Sequence, residues 1–344
     1  MEVVSLSERR AKLRFGNASE IIDILHRLHE DMRTAINTDA EKCYQKFQNS
    51  QGKELLAIDH FAEESFSKSI SASLGDAVAV SGEESLPRTG VDYSGSNLIH
   101  ILCDMIDGTD LLVRGLSNWC SAFIAFEPST RQILASHVYV VDRGVDVLYS
   151  AFVDKEGSHL SEYRTYVFPL NDEEFVKFER EEFEFVTDDQ VYARSFFEPS
   201  ARRKLAEAGI FSYGQKLKNF RALSDFLLHD RVAEKIVKAK DLRIYNLAGN
   251  PALCRMVEGK VDLVFDLAGQ AAHDVLPGAF IALKAGAVMY LLDDFPGEPA
   301  RRLQSNDLIE FAMRPCSQDT RLKYFVASNE TLANEFLQLL TDVH

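Results

Sequence analysis

The chemistry in this sequence is concentrated in the string Asp104-Met105-Ile106-Asp107-Gly108-Thr109. The string follows directly on the apolar run Leu98–Cys103, so it reads as the end of a buried strand that turns sharply at Gly108. Two carboxylates three residues apart at a strand end repel each other unless a positive charge sits between them. Hard divalent cations take such oxygen ligands, and magnesium binds through a few carboxylates plus substrate phosphate. If a helix begins near Thr109, its free backbone amides also attract phosphate oxygens. An Asp-Gly pair alone reads as an ordinary turn. The longer D-x-[IL]-D-G-T string arises by chance in about one chain of this length in a thousand.

Two other segments add carboxylates. Ser81-Gly82-Glu83-Glu84-Ser85 follows a short strand candidate at 77–81, about twenty residues upstream. A glutamate there can ligate a metal or orient an attacking water; read blandly, it is a polar loop. Downstream, His273-Asp274 precedes the apolar stretch Val275–Ala282, a helix start. Asp274 is expected at or near that N-terminus, where its plain reading is an N-cap.

These residues need elements to position them. Residues 19–37 repeat Ile21, Ile22, Ile24, Leu25, Leu28 and Met32 on one helical face. A break at 49–52 follows, then a helix over 59–74 with Asp59 as N-cap, Glu63 and Glu64 in its opening turns and Gly75 just past its end. Strands are expected at 97–105, 120–126 and 132–141. The acidic stretch 171–190 reads as a solvated face or edge strand. Beyond Pro199, helices are expected at 199–208, 224–239, 250–258, 274–285 and 329–342. Strands at 242–245, 261–265, 287–292 and 324–327 alternate with them, which argues for a layered α/β lobe.

Composition narrows the partners. The chain has 344 residues and a formal net charge of −15, a surface that repels nucleic acid and anionic membranes. No apolar run reaches membrane-spanning length, and the N-terminal MEVVSLSERRAKLRFG holds no signal-peptide core. The five cysteines Cys43, Cys103, Cys120, Cys254 and Cys316 are scattered, as expected for reduced thiols of a cytoplasmic protein.

Taken together and in order, GEES, DMIDGT and a late aspartate opening a helix that leads to Lys284-Ala285-Gly286-Ala287 resemble the inositol monophosphatase family. Val113-Arg114-Gly115-Leu116, Glu258-Gly259-Lys260-Val261-Asp262 and the run into Asp59 extend the similarity, which covers residues 53–126 and 242–344. The resemblance implies an α/β fold, a layered α-β-α-β-α sandwich of the inositol monophosphatase and fructose bisphosphatase type. The lobes expected are 1–197, carrying most metal ligands, and 198–344, supplying Asp274 and part of the substrate pocket. It also implies magnesium, lithium sensitivity, a homodimer and a small phosphorylated metabolite as substrate. Glu83, Asp104, Asp107 and Asp274 would be metal carboxylates, and the Ile106 carbonyl would complete one shell. Gly108, Thr109 and Asp110 would meet the substrate, the first two through backbone amides. The Thr109 hydroxyl, bonded to Asp59, would polarise the attacking water together with Glu83.

Several positions depart from the family's pattern. Met105 replaces a usual proline, Asp110-Leu111-Leu112 a usual x-Asn-Phe, His273 a tryptophan and Lys284 a glutamate. Ala248-Gly249-Asn250-Pro251 blurs an expected glycine-serine-alanine string. Leu267 stands seven residues before Asp274, where inositol-specific members carry a sugar-binding glutamate; Asp266 is adjacent and would substitute if the loop shifts. The metal carboxylates therefore read as intact and the alcohol pocket as rebuilt. The expected activity is magnesium-dependent hydrolysis of a small phosphate monoester. The alternatives are a sugar bisphosphatase, a 3'(2'),5'-bisphosphate nucleotidase, or a non-catalytic phosphate- or metal-binding protein.

Overall fold

A computed structural model describes residues 18–48, 54–75, 78–84, 98–141, 145–152, 163–169, 183–185, 192–194, 204–214, 216–239, 242–247, 249–292, 300–314 and 321–341. The chain divides into two compact units, Met1–Ser195 and Phe196–His344.

The first described element of this unit is helix α1 (Ala18–Cys43). Its Ile21, Leu25, Leu28 and Met32 fall on one face and are at most 3% exposed, the pattern a surface helix needs to bury one stripe. Asp39 leaves helical geometry, and its Oδ1 accepts the Lys42 N–H at 3.0 Å, which caps a separate last turn. Strands β1 (Lys46–Gln48) and β2 (Glu54–Leu56) form a small antiparallel ladder leading into α2 (Ala57–Leu74). In α2 the residues Ile58, Ala62, Phe66, Ile70 and Leu74 are all at most 1% exposed. This strict four-residue repeat makes a single buried ridge.

Both helices bury these faces in a core shared with the sheet. Among the described residues the sheet has eight strands. They are β3 (Val78–Gly82), β4 (Ile99–Asp107), β5 (Cys120–Glu127), β6 (Gln132–Val141), β7 (Val145–Phe152), β8 (Tyr163–Pro169), β9 (Phe183–Phe185) and β10 (Tyr192–Arg194), with the five-residue helix α3 (Thr109–Val113) between β4 and β5. Their order is β3-β4-β5-β6-β7-β8-β10-β9. Only the β3–β4 pair is parallel. In that parallel register Gly82 pairs with Cys103, so Glu83 leaves the end of β3 level with Asp104. Of the acidic stretch 171–190, only Phe183–Phe185 lies among the described residues, as β9.

The second unit carries β11 (Gly209–Ser212), α4 (Leu217–Leu227), α5 (Asp230–Lys238), β12 (Arg243–Tyr245), α6 (Asn250–Val257), β13 (Leu263–Gln270), α7 (Leu276–Lys284), β14 (Val288–Leu291), β15 (Arg301–Leu303), α8 (Leu308–Ala312), β16 (Leu322–Ala327) and α9 (Glu330–Thr341). Among the described residues its sheet has six strands in the order β12-β11-β13-β16-β14-β15, the first three parallel and the rest antiparallel. Phe336 of α9 anchors the core, with its ring 5.0 Å from Phe325, 5.2 Å from Phe265 and 6.1 Å from Phe226. Truncating such a buried ring costs about 3–5 kcal/mol.

The structure corrects several expectations. Asp59 is not the N-cap of its helix: the cap is Leu56 and Asp59 sits in the first turn. The stretch 224–239 is two helices, broken where His229 is extended and its carbonyl accepts from Val232 and Ala233. Of the helix expected at 199–208, the described part is a 3-10 turn at Leu205–Glu207, and Ala208 is extended into β11. The aspartate before α7 is not an N-cap either: Val275 holds that position. The expectations for 1–17, 49–52, Ser85, Ala248 and Cys316 lie outside the described residues.

Candidate functional site

In a regular strand, side chains alternate, and Asp104 and Asp107, an odd number of residues apart, would face opposite ways. The ladder shows why they do not. Asp104 pairs with Ala122 and Asp107 with Cys120, so β4 spends three steps where β5 spends two. Ala122 and Cys120 are two apart and share a face of β5, so their partners Asp104 and Asp107 share a face as well. Met105 and Ile106 together oppose Ser121, which is a β-bulge. Their side chains, 0% and 4% exposed, enter the core under the helices.

A bulge interrupts the ladder, and the backbone polar groups it frees must be satisfied. Ser121 Oγ donates to the Met105 carbonyl at 2.6 Å. Asp104 Oδ1 accepts the Ile106 N–H at 3.0 Å. Thr109 Oγ1 stands 3.0 Å from the Ile106 carbonyl. Leaving one such buried group unsatisfied costs about 1–3 kcal/mol, so Ser121 and Asp104 make the bulge tenable, while the single Thr109 proton is shared between the Ile106 carbonyl and Asp59. Beyond it the chain turns at Gly108, whose φ of 100° is left-handed. A Cβ there would lie 3.1 Å from the Trp119 Cβ, so both backbone and space demand glycine.

The other carboxylates of this unit come from α2 and the end of β3. One carboxylate oxygen of Glu83 and one of Asp104 lie within 4.8 Å of each other. Asp59, 5% exposed, accepts the Leu56 N–H at 3.1 Å and the Thr109 hydroxyl at 3.0 Å. Burial pushes its acid up to about 6, and the negative charges of Glu83 and Glu63 add to this against the two hydrogen bonds. Glu63, one helical turn on and 1% exposed, accepts the Glu84 N–H at 2.9 Å and so pins the loop that presents Glu83. Its carboxylate occupies the space a side chain at Gly82 would need, 2.3 Å from an ideal Cβ. Sequence reasoning gave Glu63 only to the helix start; its four-residue spacing from Asp59, which puts both on one helix face, was the available signal. The Cys120 thiol points at Asp107 Oδ2 over 3.8 Å. Asp110 is exposed on α3.

In the second unit, Asp274 sits in a turn before α7, where its Oδ2 accepts the Ala271 N–H at 3.3 Å and its Oδ1 is 3.2 Å from His273 Nε2. Asn250 at the start of α6 holds this turn in place. It donates to the His273 carbonyl at 2.8 Å and accepts the Gly278 N–H at 2.9 Å. Asp266 is 1% exposed and its oxygens are engaged. Oδ1 accepts the backbone N–H groups of Ala268, at 2.8 Å, and Gly269, and Oδ2 accepts from Asn219 at 3.4 Å. Burial pushes Asp266 up to about 6 against these bonds and the nearby Arg321. As placed, Asp266 shapes the turn at the end of β13; binding a substrate hydroxyl would require it to release those bonds. Leu267 is half-buried against the core of this unit.

The donor set of the first unit fits a hard divalent cation. Glu83, Asp104 and Asp107 offer only carboxylate oxygens, and the Ile106 carbonyl beside them is a further oxygen donor. Grouped like charges of this kind are costly to hold together without a positive partner.

No protein-family model matches the sequence, and no curated protein matches it. Comparison of folds does find similar structures. An IMPase from Thermotoga maritima superposes over 96% of this chain and 98% of its own, with a TM-score of 0.58 and 15% identity. A gene product described as an inositol monophosphatase–fructose 1,6-bisphosphatase covers 94% of this chain and 98% of its own, at 0.56 and 16%. An IMPase/NADP phosphatase complexed with NADP and Ca2+ covers 94% of each, at 0.57 and 14%. The chain has the inositol monophosphatase fold.

Some strings that carried the resemblance belong to the architecture of the inositol monophosphatase fold rather than to chemistry. Ala285-Gly286-Ala287 ends α7: Gly286 is left-handed at φ 99°, its N–H reaches the Leu283 carbonyl at 3.1 Å, and the Ala287 N–H reaches Ala282 at 3.0 Å. That is the paired bond pattern of a glycine-terminated helix. Asp262, fully buried, accepts the Gly209 N–H at 2.7 Å and ties β11 to the strand beside it. No helix among the described residues is long and apolar enough to cross a membrane.

Proposed function

We propose that this chain is a divalent-cation-dependent phosphomonoesterase acting on a small phosphorylated metabolite. The observation that carries the reading is the bulge that turns Asp104 and Asp107 to one face beside Glu83, with Thr109 and Asp59 hydrogen-bonded next to them. The fold comparison supports it, since the similar structures are described as phosphatases.

In this reading Glu83, Asp104, Asp107 and the Ile106 carbonyl hold the cations, and Asp274 supplies the remaining carboxylate. When bound, the cations lower the pKa of water and stabilise the attacking and leaving oxygens. The residues do the rest. Thr109 Oγ1, oriented by Asp59, accepts a hydrogen bond from the attacking water, and Glu83 takes up its proton from the other side. The backbone amides of Gly108 and Thr109 bind phosphate oxygens, and Asp110 borders the substrate. Magnesium as the working ion, lithium inhibition, a homodimer and a cytoplasmic setting belong to the same reading.

The neighbours' descriptions name inositol monophosphate, 2'AMP and NADP as ligands. A phosphate-release screen over polyol, sugar and nucleotide phosphates, with magnesium or with EDTA, tests the reading. Release that needs magnesium and stops with EDTA supports it. Release from none of the panel, or release indifferent to EDTA, refutes it.

A further inference from the structure

The site's geometry depends on one extra residue in β4, and the group that holds this residue is itself held from α1. His29 Nε2 lies 2.8 Å from Ser121 Oγ, and Ser121 Oγ lies 2.6 Å from the Met105 carbonyl. All three residues are 0% exposed. The hydroxyl has one proton, and a carbonyl can only accept, so that proton goes to Met105. The serine oxygen then accepts from His29, which fixes the imidazole proton on Nε2. The ring is clamped flat on Trp119, 5.2 Å away at 4°, with Tyr139 3.9 Å to its side. Trp119 is also the residue that crowds Gly108. Burial, with Arg33 and His26 nearby, holds His29 neutral.

We propose that Ser121 and His29 are positioning residues for cation binding: by holding the Met105 carbonyl they fix the bulge, and the bulge sets the relative placement of Asp104 and Asp107. The proposal rests on the metal-site reading above. Neither residue reaches the carboxylate face, because Ser121 alternates with Ala122 and Cys120 and points into the helix-side core. Their influence passes through the β4 backbone. If the bulge slips to a regular register, one aspartate rotates to the wrong face. Supporting partners of metal ligands elsewhere change metal affinity by about 10–100-fold when removed.

The test is the thermal midpoint of the whole chain as a function of magnesium concentration, which needs no turnover. Ser121→Ala should raise the half-stabilising concentration about ten-fold or more while far-UV circular dichroism stays unchanged. His29→Phe keeps the stacking on Trp119 and loses the donor, so it should shift the same way. His29→Gln retains an N–H donor and should restore most of the affinity. If Ser121→Ala folds and titrates within two-fold of wild type, the positioning role is wrong although the metal site stands. If Ser121→Ala does not fold, the His29 pair decides: equal titrations for Phe and Gln overturn the proposal. If the wild-type protein shows no response to magnesium or manganese, the metal reading itself fails and this inference with it.

Discussion

Thr109 Oγ1 donates to Asp59 Oδ1 over 3.0 Å, joining the first residue of α3 to the first turn of α2 across 50 positions of sequence. The same hydroxyl is 3.0 Å from the Ile106 carbonyl, so one proton faces two acceptors. Which acceptor receives it depends on the charge of Asp59. Thr109→Ala and Asp59→Asn should each lower kcat by about two to four decades, the scale of lost acid-base assistance. Because the pair acts as a unit, the double variant should be little worse than either single one. Losses that simply add would show that the two groups work independently.

Asp59 also makes a prediction about stability in the absence of cations. Its folded-state pKa of about 6 lies above its ordinary 3.8. The folded protein therefore binds the proton more tightly than the unfolded chain, and stability falls as pH rises from about 4 to about 6. The penalty is absent below the unfolded value and fully present above the folded one, at about 3 kcal/mol. Urea unfolding in EDTA should show Asp59→Asn gaining about that much on wild type between pH 4 and pH 7. A pH-independent difference would contradict the burial argument.

Asp107→Asn and Asp274→Asn should each remove at least two decades of phosphatase activity at saturating magnesium, with the fold intact. The cation-free Asp107→Asn protein should be no less stable than wild type, since one of several crowded negative charges is gone. Wild-type turnover by Asp274→Asn would exclude that residue from the site.

Inositol monophosphate should not be the best substrate. Leu267 packs on the core of its unit and Asp266 spends its oxygens on Ala268, Gly269 and Asn219. No carboxylate is then available at that place for a sugar hydroxyl. A missing charged hydrogen bond is worth about 1.5–3 kcal/mol, one to two decades in kcat/KM. A panel of inositol, glycerol, sugar and nucleotide phosphates decides the matter: a ten-fold preference for inositol monophosphate would overturn the expectation.

The chemistry was legible where residue types are rare together and the spacing is local. The buried strand, the turn at Gly108 and the helix carrying Asp59 follow from Leu98–Cys103, DMIDGT and the four-residue repeat of α2. The bulge was not legible. An i, i+3 aspartate pair on a strand says nothing of an inserted residue, because that depends on the register of a partner strand more than a dozen residues away. His29 and Ser121 escaped for the same reason: their meeting spans 92 residues and leaves no local pattern. Asp59 and the aspartate before α7 were placed in the right segments but one step off in role, since a carboxylate near a helix start suits both cap and first turn. The break at His229 was hidden because Leu223, Phe226 and Val232, which share one core from two helices, mimic a single periodic face.

Helix α1 is made early and anchored late. Its His26 and Arg33 find Tyr139 and Asp146 only 113 residues further on: His26 Nδ1 is 3.1 Å from the Tyr139 hydroxyl, which donates to Asp146 Oδ2 at 3.0 Å, and Arg33 pairs with the same carboxylate. At a synthesis rate of about 5–20 residues per second, the helix waits on the order of 6–20 seconds for those strands to emerge. During that wait α2, β4 and β5 emerge first and can begin to cover its apolar stripe, while Arg33 still lacks its buried carboxylate. In refolding of the whole chain the same 113-residue separation makes docking of α1 a long-range step, so its amides should gain protection from hydrogen exchange after those of β4 to β6, whose neighbours are close in sequence. Once docked, the helix has a single register: sliding it by one turn would strand His29 and Asp146 in the interior without their partners.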